Sequence, residues 1–539
     1  MFWHNGGVTP SPHDASPRAR ERDLVVVSDL HLGRGFDPTT KRYHRLEAFF
    51  YDDDFRSFCG WLCRDVAERG AGLTLVLNGD VFDLLRIEPE TGPEQTRIER
   101  RFGPLPTPPV AARMMADILA GHPVFVEALA DVLAAGQEIV AISGNHDLEL
   151  QWPQVQDEVR HALGAALEAR GTPAAIERLR FEPWFLYEPG RIWIEHGCQY
   201  DPESAFRFPL RGKLSASPAV AEVTARDMPL GNFFQRYLYN AFGSISFIVP
   251  SSRANYRYFR FLLANQPRLL FHVLRSQSRF MSQLLRRLAR PPDPASHREA
   301  EVAHEAALEE LVESSGLGER LRTIDAMKFR GADAARAVTG IVKQAVKLIA
   351  GSVLAAILIL AVLTASSHAI ESLKVGFGWK ALLSLFLYVS FGALAAAALI
   401  ASAVRLPSDG APRPLRAAAQ RIASLLDVPV VTFGHSHEEV VSPMRRPGGA
   451  GWYFNTGTWL AVFTHDVLVP RARVQYTFLR VRGNDGELLQ WSPGRERPMP
   501  VVLLEDEPGP TDVAEITTAS ALDGRVPAPK PPPRERSSG

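Results

Sequence analysis

Residues 23–33, DLVVVSDLHLG, carry the pattern that decides the fold: an apolar, β-branched run that ends on Asp29 and His31. Such a run is typical of a strand that is buried on both faces. Four later stretches repeat it: LTLVLNGD at 73–80, EIVAISGNHD at 138–147, RIWIEHG at 191–197 and VPVVTFGHSH at 428–437. Helical stretches, such as residues 54–70 and 125–137, alternate with them. This order predicts an α/β sheet whose polar residues gather at the carboxyl ends of the strands.

The composition fits a folded chain with no general affinity for nucleic acid. Apolar residues make up 46% of the 539 positions and charged residues 22%, which is usual for a globular protein. Lys plus Arg and Asp plus Glu both number 60, so the net charge is zero and we expect no nucleic-acid partner. The cysteines, Cys59, Cys63 and Cys198, supply neither a zinc cluster nor a disulfide framework, which suits a reducing compartment.

The strand-like runs are interrupted between residues 200 and 428, and this divides the chain. We predict disordered tails at 1–22 and 505–539, which are rich in Pro and charge or lack an apolar run. The main α/β domain would be in two parts, 23–200 and 405–504. Between them we predict a helical insert at 201–340, basic and then acidic, and a transmembrane helical hairpin at 341–404.

The basic part of the insert has two interpretations. Residues 255–290 alternate Arg with Leu, Phe and Tyr at helical spacing and contain almost no acidic residue. One interpretation is a set of helices that pack on the domain with a solvated basic face. The other is a cap or a membrane-surface element that meets anionic lipid or a phosphorylated lipid substrate.

Two uncharged runs, within 347–370 and 381–404, predict the hairpin, because crossing a bilayer takes about 20 apolar residues. The alternative is a buried helical pair in a large soluble core. Basic residues flank the pair on its outer sides, at Lys343, Lys347, Arg405, Arg413 and Arg416. By the positive-inside rule, both flanks lie in the cytoplasm. The predicted localisation is therefore the inner (cytoplasmic) membrane, multi-pass, with the catalytic domain facing the cytoplasm.

The polar residues that end the strand-like runs form a set suited to two divalent metal ions. Each motif alone is weak, but together they offer carboxylate, amide and imidazole ligands in order along the chain. An Asp at a strand end can bridge two ions, and these ligand types suit Mn best, with Fe, Zn or Co as alternatives. Paired metals can activate water for attack on phosphorus. His146 has the chemistry to assist the leaving group, with Asp147 beside it to orient the ring.

These motifs resemble those of the calcineurin-like metallophosphoesterase family over residues 23–197 and 426–457. The resemblance implies a sandwich of two β-sheets flanked by helices, an αββα fold, here with a helical insert that carries two transmembrane helices. It implies that Asp29, His31 and His437 hold one metal, that Asp80 bridges, and that Asn145, His196 and His435 hold the other. It also implies that His146 contacts the phosphate, with Asp147 supporting it.

Within the family, the chain is most similar to the UDP-2,3-diacylglucosamine pyrophosphatase branch. It shares the SDLHL, GD-x-F, HG and GHxH motifs and a basic helical insert, which caps a lipid substrate in that branch. It departs from that branch in reading GNHD, with His146, where the branch has GNRD. The sequence GDVFDLL at 79–85 also lacks the arginine of the protein-phosphatase branch. The resemblance therefore implies a hydrolase of phosphodiester or pyrophosphate bonds at the membrane, with a lipid-linked or nucleotide-sugar-lipid substrate.

Two further hypotheses come from other classes of protein. In the first, the chain is a general phosphoesterase that acts on soluble nucleotides and is only anchored to the membrane. In the second, it is a membrane scaffold with an idle metal site. Two more carboxylates, Asp83 and Asp201, follow the ligand motifs closely. Each either orients a ligand histidine or caps a loop.

Overall fold

The computed structural model describes residues 22–87, 99, 102, 104–242, 267–268, 271–272, 275–276, 293–331, 351, 357, 359–404, 412–464, 469–470 and 474–503. The chain divides into two compact units. The larger comprises Met1–Ala334 and Ala411–Gly539, and the smaller comprises Ala335–Gly410. The larger unit is a mixed α/β structure built on sheets.

The first sheet has seven strands and combines the beginning and the end of the chain. Its order is β16-β15-β14-β1-β4-β5-β6, and β1, β4, β5 and β6 are parallel. The strands are β1 Arg22–Val27, β4 Gly72–Asn78, β5 Glu138–Ile142, β6 Leu179–Glu182, β14 Tyr476–Arg482, β15 Asp485–Ser492 and β16 Arg497–Pro500. Strand β14 pairs antiparallel with β1, with Val26 opposite Leu479.

The second sheet has five strands in the order β10-β11-β9-β8-β7. They are β7 Phe185–Glu188, β8 Ile192–Glu195, β9 Val430–Phe433, β10 Glu439–Arg446 and β11 Gly449–Thr456. Strands β8 and β9 are parallel neighbours, although the insert separates them in sequence. Two short ribbons complete the strands, β2 Phe36–Asp37 with β3 Arg42–Tyr43, and β12 Phe463–Thr464 with β13 Val469–Pro470.

Alternation along the buried strands places the two sheets face to face between layers of helices. Val25 and Val27 pack in one core cluster with Phe55 and Phe58 of α1, whereas Leu24 and Val26 pack with Ile194, Val430 and Phe454 of the second sheet. The opposite face of that sheet packs against α10. The helices are α1 Asp52–Glu68, α2 Pro108–Gly121, α3 Pro123–Ala134, α4 Pro153–Ala169, α5 Val220–Arg226, α6 Leu230–Tyr237, α7 Pro294–Ser315, α8 Glu319–Ala326, α9 Phe377–Val404 and α10 Pro412–Leu426.

The two predicted transmembrane helices are wrong. In the part of the chain that the structure describes, no helix is both long enough and apolar enough to cross a membrane. The described helix at residues 359–372, which overlaps the first predicted span, contains His368 and Glu371 in its last two turns. In α9, Lys380 lies in the first turn. The predicted multi-pass inner-membrane localisation depended on these helices and is wrong with them.

The smaller unit carries large apolar side chains on its outside. Phe377 is 88% exposed and Trp379 65% exposed. Contact between its two helical segments includes a hydrogen bond between the hydroxyls of Ser367 and Tyr388, 3.2 Å apart. The apolar side chains that make this region hydrophobic therefore do not form a buried core within the described residues.

Other predictions fall on residues outside the described part of the chain. These are most of the two tails and nearly all of the basic stretch 255–290. The two interpretations of that stretch therefore remain predictions, as do the bounds of the six predicted segments.

A buried carboxylate fixes the loop that follows the first metal-ligand motif. Glu47 accepts hydrogen bonds from the backbone N–H groups of Gly33, Gly35, Ala48 and Phe49. The ring of His122, at the end of α2, lies between two carboxylates. Its Nδ1 is 2.9 Å from Asp52 Oδ1 and its Nε2 is 3.4 Å from Glu47 Oε2. Burial alone would lower the pKa of His122, but Asp52 and Glu47 outweigh it and raise the pKa to about 9.

We predict that this histidine makes stability depend on pH in the alkaline range. An unfolded histidine has a pKa of about 6.5, so the stabilisation is complete below that pH and is lost as pH rises through about 9. The stability difference between the wild type and His122→Gln should therefore shrink by about 3 kcal/mol between pH 6 and pH 10. Urea unfolding at both pH values measures it. His161→Gln, at an exposed histidine on α4, is the control, and a pH-independent difference for His122→Gln would contradict the prediction.

Candidate metal centre

The carboxyl ends of three parallel strands in the first sheet and of two parallel strands in the second bring the sequence motifs together. Asp29 and His31 follow β1, Asp80 follows β4, and the GNHD motif follows β5 in the first sheet. In the second sheet, His196 follows β8 and the GHSH motif follows β9. The structure thus gathers all the residues predicted as ligands or catalytic groups in one cluster: Asp29, His31, Asp80, Asn145, His146, Asp147, His196, His435 and His437.

The first ligand group comprises Asp29, His31 and His437. The Nε2 atoms of the two histidines face each other 3.1 Å apart, and His437 Nε2 is 3.3 Å from Asp29 Oδ1. Two imidazole nitrogens and a carboxylate oxygen that converge in a buried site are a donor set that fits a divalent transition metal.

The second group comprises Asp80, His196 and His435. His196 Nε2 is 3.3 Å from Asp80 Oδ2 and 3.3 Å from Asn145 Oδ1. The same Oδ2 of Asp80 lies 3.9 Å from His31 Nε2. Asp80 therefore lies between the two groups, where a carboxylate shared by two ions would stand.

The hydrogen bonds behind the imidazoles leave lone pairs directed into the site. His31 Nδ1 bonds to Asp83 Oδ2 at 3.1 Å, His196 Nδ1 to the Asn78 carbonyl at 2.9 Å, and His435 Nε2 to Asp201 Oδ2 at 3.0 Å. Each partner is an acceptor, so the bonded ring nitrogen carries the proton and the other nitrogen is free to bind a metal. Asp83 and Asp201 thus orient histidines that are predicted as ligands.

His146 is held by Asp83 rather than by its neighbour Asp147. Its Nδ1 is 3.0 Å from Asp83 Oδ1, and its backbone N–H donates to Asp80 Oδ1 at 2.7 Å. Burial would lower the pKa of His146, but the carboxylates of Asp83 and Asp80 raise it to about 9. Burial would also raise the pKa of Asp83, yet His146, His31 and Arg86 hold it well below its usual range. The His146 ring thus lies at the edge of the cluster with its Nδ1 held by Asp83.

Asp147 has a different position from the one predicted. Its carboxylate accepts hydrogen bonds from backbone N–H groups that precede and follow the ligands, on Gly144 at 2.6 Å, Val81 at 2.9 Å, and Asp80 and Phe82 at 3.2 Å each. Burial and the nearby Asp80 carboxylate raise the pKa of Asp147 to about 7. Asp147 therefore joins the loops after β4 and β5 and does not contact the His146 ring.

The ligands occupy strained backbone. Positive φ angles occur at Asp29, His31, Asp80, His435 and His437, all between 51° and 68°. Each such residue costs on the order of 1 kcal/mol or more, and such strain persists only where the surroundings fix it. Five of the eight positive φ angles at described residues other than glycine thus fall on predicted ligands, and the other three are at Lys41, Asp427 and Glu496.

Several residues that support the site were missed by the sequence reasoning. Thr458 Oγ1 donates to the Asp29 carbonyl at 2.6 Å, and Asn455 Nδ2 donates to the Gly434 carbonyl at 2.5 Å. Both lie in the polar NTGT run at 455–458, which interrupts an otherwise apolar stretch and was a usable signal. Asn232, in the insert, contacts Asn145, and nothing in its surrounding sequence indicates this.

The chain matches no known family model and no curated protein. The interpretation of the centre therefore depends on its geometry.

Close packing at Gly144 predicts a sharp effect on metal binding. A Cβ at this position would lie 2.2 Å from Asp80 Oδ1 and 2.5 Å from the Asp80 backbone nitrogen. We expect Gly144→Ala to displace Asp80 and to lower affinity for Mn²⁺ by at least about tenfold, comparable with the loss of a residue that supports a ligand. Equilibrium dialysis with metal analysis measures this. Gly164→Ala, where an added Cβ meets nothing within 4 Å, is the control. Equal affinity in both variants would contradict the packing argument.

Proposed function

We propose that the chain is a metal-dependent hydrolase of phosphodiester or pyrophosphate bonds that uses two divalent ions. The observation that carries this proposal is the pair of His/Asp groups on either side of Asp80, each with imidazole lone pairs directed inward. Asp29, His31 and His437 would hold one ion, and Asn145, His196 and His435 the other, with Asp80 shared. Two ions so held would neutralise phosphoryl oxygens and lower the pKa of water. The resemblance of the motifs to the metallophosphoesterases supports the same reaction class.

His146 is the residue that would help the leaving group to depart. Its ring is 15% exposed, whereas the carboxylate of Asp83 behind it is fully buried. Asp83 bonds to Nδ1 and stabilises the imidazolium, so Nε2 would donate a proton to the departing oxygen. Asp83 also bonds to His31, which couples the orientation of the acid to that of a metal ligand.

The first test is hydrolysis by the purified protein with Mn²⁺. We expect turnover of bis-p-nitrophenyl phosphate and of a UDP-linked glycolipid that is stronger than turnover of p-nitrophenyl phosphate. Asp80→Asn should lower turnover at least about 100-fold, because it removes the charge of the shared carboxylate. Asp485→Asn, at the exposed first residue of β15, should leave turnover unaffected. Turnover that persists after chelation, or that is equal in both variants, would contradict the proposal.

The role of His146 predicts a dependence on the leaving group. His146→Asn should lower turnover of an alkyl phosphodiester by about 10²–10⁴-fold, the usual contribution of a positioned acid. The same change should affect p-nitrophenyl esters far less, because p-nitrophenolate departs with little need of a proton. Comparing kcat for the two substrates measures this, with His161→Asn as the matched control. An equal loss on both would assign His146 another role.

A further inference from the structure

The insert contributes a side chain to the metal centre. Asn232, in α6, is only 3% exposed and lies against Asn145, 87 residues earlier in the chain. Its Nδ2 donates to the Asn145 carbonyl oxygen at 2.7 Å, and its Oδ1 accepts from Asn145 Nδ2 at 3.1 Å. A buried amide whose NH₂ group and oxygen both form hydrogen bonds with one neighbouring residue makes a specific contact, which general packing does not explain.

The two hydrogen bonds determine which way the Asn145 side chain faces. A backbone carbonyl can only accept, so Asn232 must present its NH₂ group to it. The Oδ1 of Asn232 then faces the Asn145 side chain and can only accept its NH₂ group. The remaining end of that amide, Oδ1, is directed away from Asn232 and lies 3.3 Å from His196 Nε2. The direction of the Asn145 carbonyl is thus set by the residue behind it.

Other contacts hold this part of the insert in place independently. Asn240 Nδ2 donates to the Leu85 carbonyl at 2.8 Å and its Oδ1 accepts from Gln235 Nε2 at 2.9 Å. The backbone N–H of Gly231 donates to the Glu203 carbonyl at 2.9 Å. Because these bonds fix α6, Asn232 is presented to Asn145 without needing the metal ligand to hold it.

We propose that Asn232 is a positioning residue for the second metal ion: it fixes the Asn145 amide with its oxygen toward that ion, so that the insert completes the centre. The inference rests on the proposed metal-dependent function. It makes the segment 201–242 part of the active centre rather than a removable cap.

Titration with Mn²⁺ alone, followed by electron paramagnetic resonance and equilibrium dialysis, tests the proposal without any turnover. The wild type should bind two ions and show the signal of a coupled pair. Asn232→Leu should weaken binding of the second ion by about 10–100-fold and leave binding of the first unchanged. This is the loss of affinity expected when a residue that supports a ligand is removed. At intermediate metal concentrations the signal should then be that of a single ion. Asn232→Asp, which keeps the acceptor for Asn145 Nδ2, should lose less affinity for the second ion than Asn232→Leu does.

The control separates positioning from docking of the insert. Asn240→Leu removes another buried amide on the same segment that touches no proposed ligand. The bond from the Gly231 N–H to the Glu203 carbonyl remains in this variant to hold α6, so the second ion should bind it as it binds the wild type. Equal losses in Asn232→Leu and Asn240→Leu would overturn the proposal, because they would show only that α6 must be docked.

A double-variant cycle identifies the residue through which Asn232 acts. In an Asn145→Ala background, Asn232→Leu should have no further effect on the second ion, since its target is already gone. Additive losses would overturn the proposal and leave the hydrolase function standing. Failure of the wild type to bind two ions would instead overturn both.

Discussion

The candidate centre depends on the carboxylate of Asp147, which accepts four backbone N–H groups from the loops after β4 and β5. Those N–H groups are buried and would otherwise be left without acceptors, at a cost of about 1–3 kcal/mol each. By satisfying them, the carboxylate holds Asp80 and Asn145 at a fixed separation. The positive φ angle of Asp80 is tolerated because this anchor leaves its loop no alternative. The metal ligands are thus placed mainly by backbone contacts that lie behind them.

The second sheet supplies the other half of the site through similar means. His435 donates its backbone N–H to both oxygens of Asp29, and Ser28 bonds to Thr456 at 2.5 Å. These bonds cross from one sheet to the other at the edge where β1 and β9 end. A centre that draws on both sheets requires their relative position to be accurate. The apolar contacts of Leu24 and Val26 with Val430 and Phe454 between the sheets provide that accuracy.

The strand order of the ligands could be predicted because every ligand motif follows an apolar run, and parallel strands align their carboxyl ends. The residues that hold the predicted ligands in place could not be predicted. Asp83 and Asp147 have the same side chain and both flank ligands, yet one orients imidazoles and the other binds backbone, a difference set by loop geometry. Asn232 comes from a helix whose docking no local pattern reveals. The membrane prediction failed because it was read from hydropathy alone, whereas among the described residues no helix is both long enough and apolar enough to cross a membrane.

The pairing of Val26 in β1 with Leu479 in β14 has a consequence for biosynthesis. Roughly 450 residues separate the two strands, and at about 5–20 residues per second their synthesis is separated by roughly 20–90 s. During that interval one edge of β1 has no native partner, and an open strand edge invites pairing with other chains. The GHSH motif also emerges late, so neither ligand group can be complete on the nascent polypeptide. Emergence of β14 from the ribosome is therefore the step that gives β1 its second partner and protects that strand edge from aggregation.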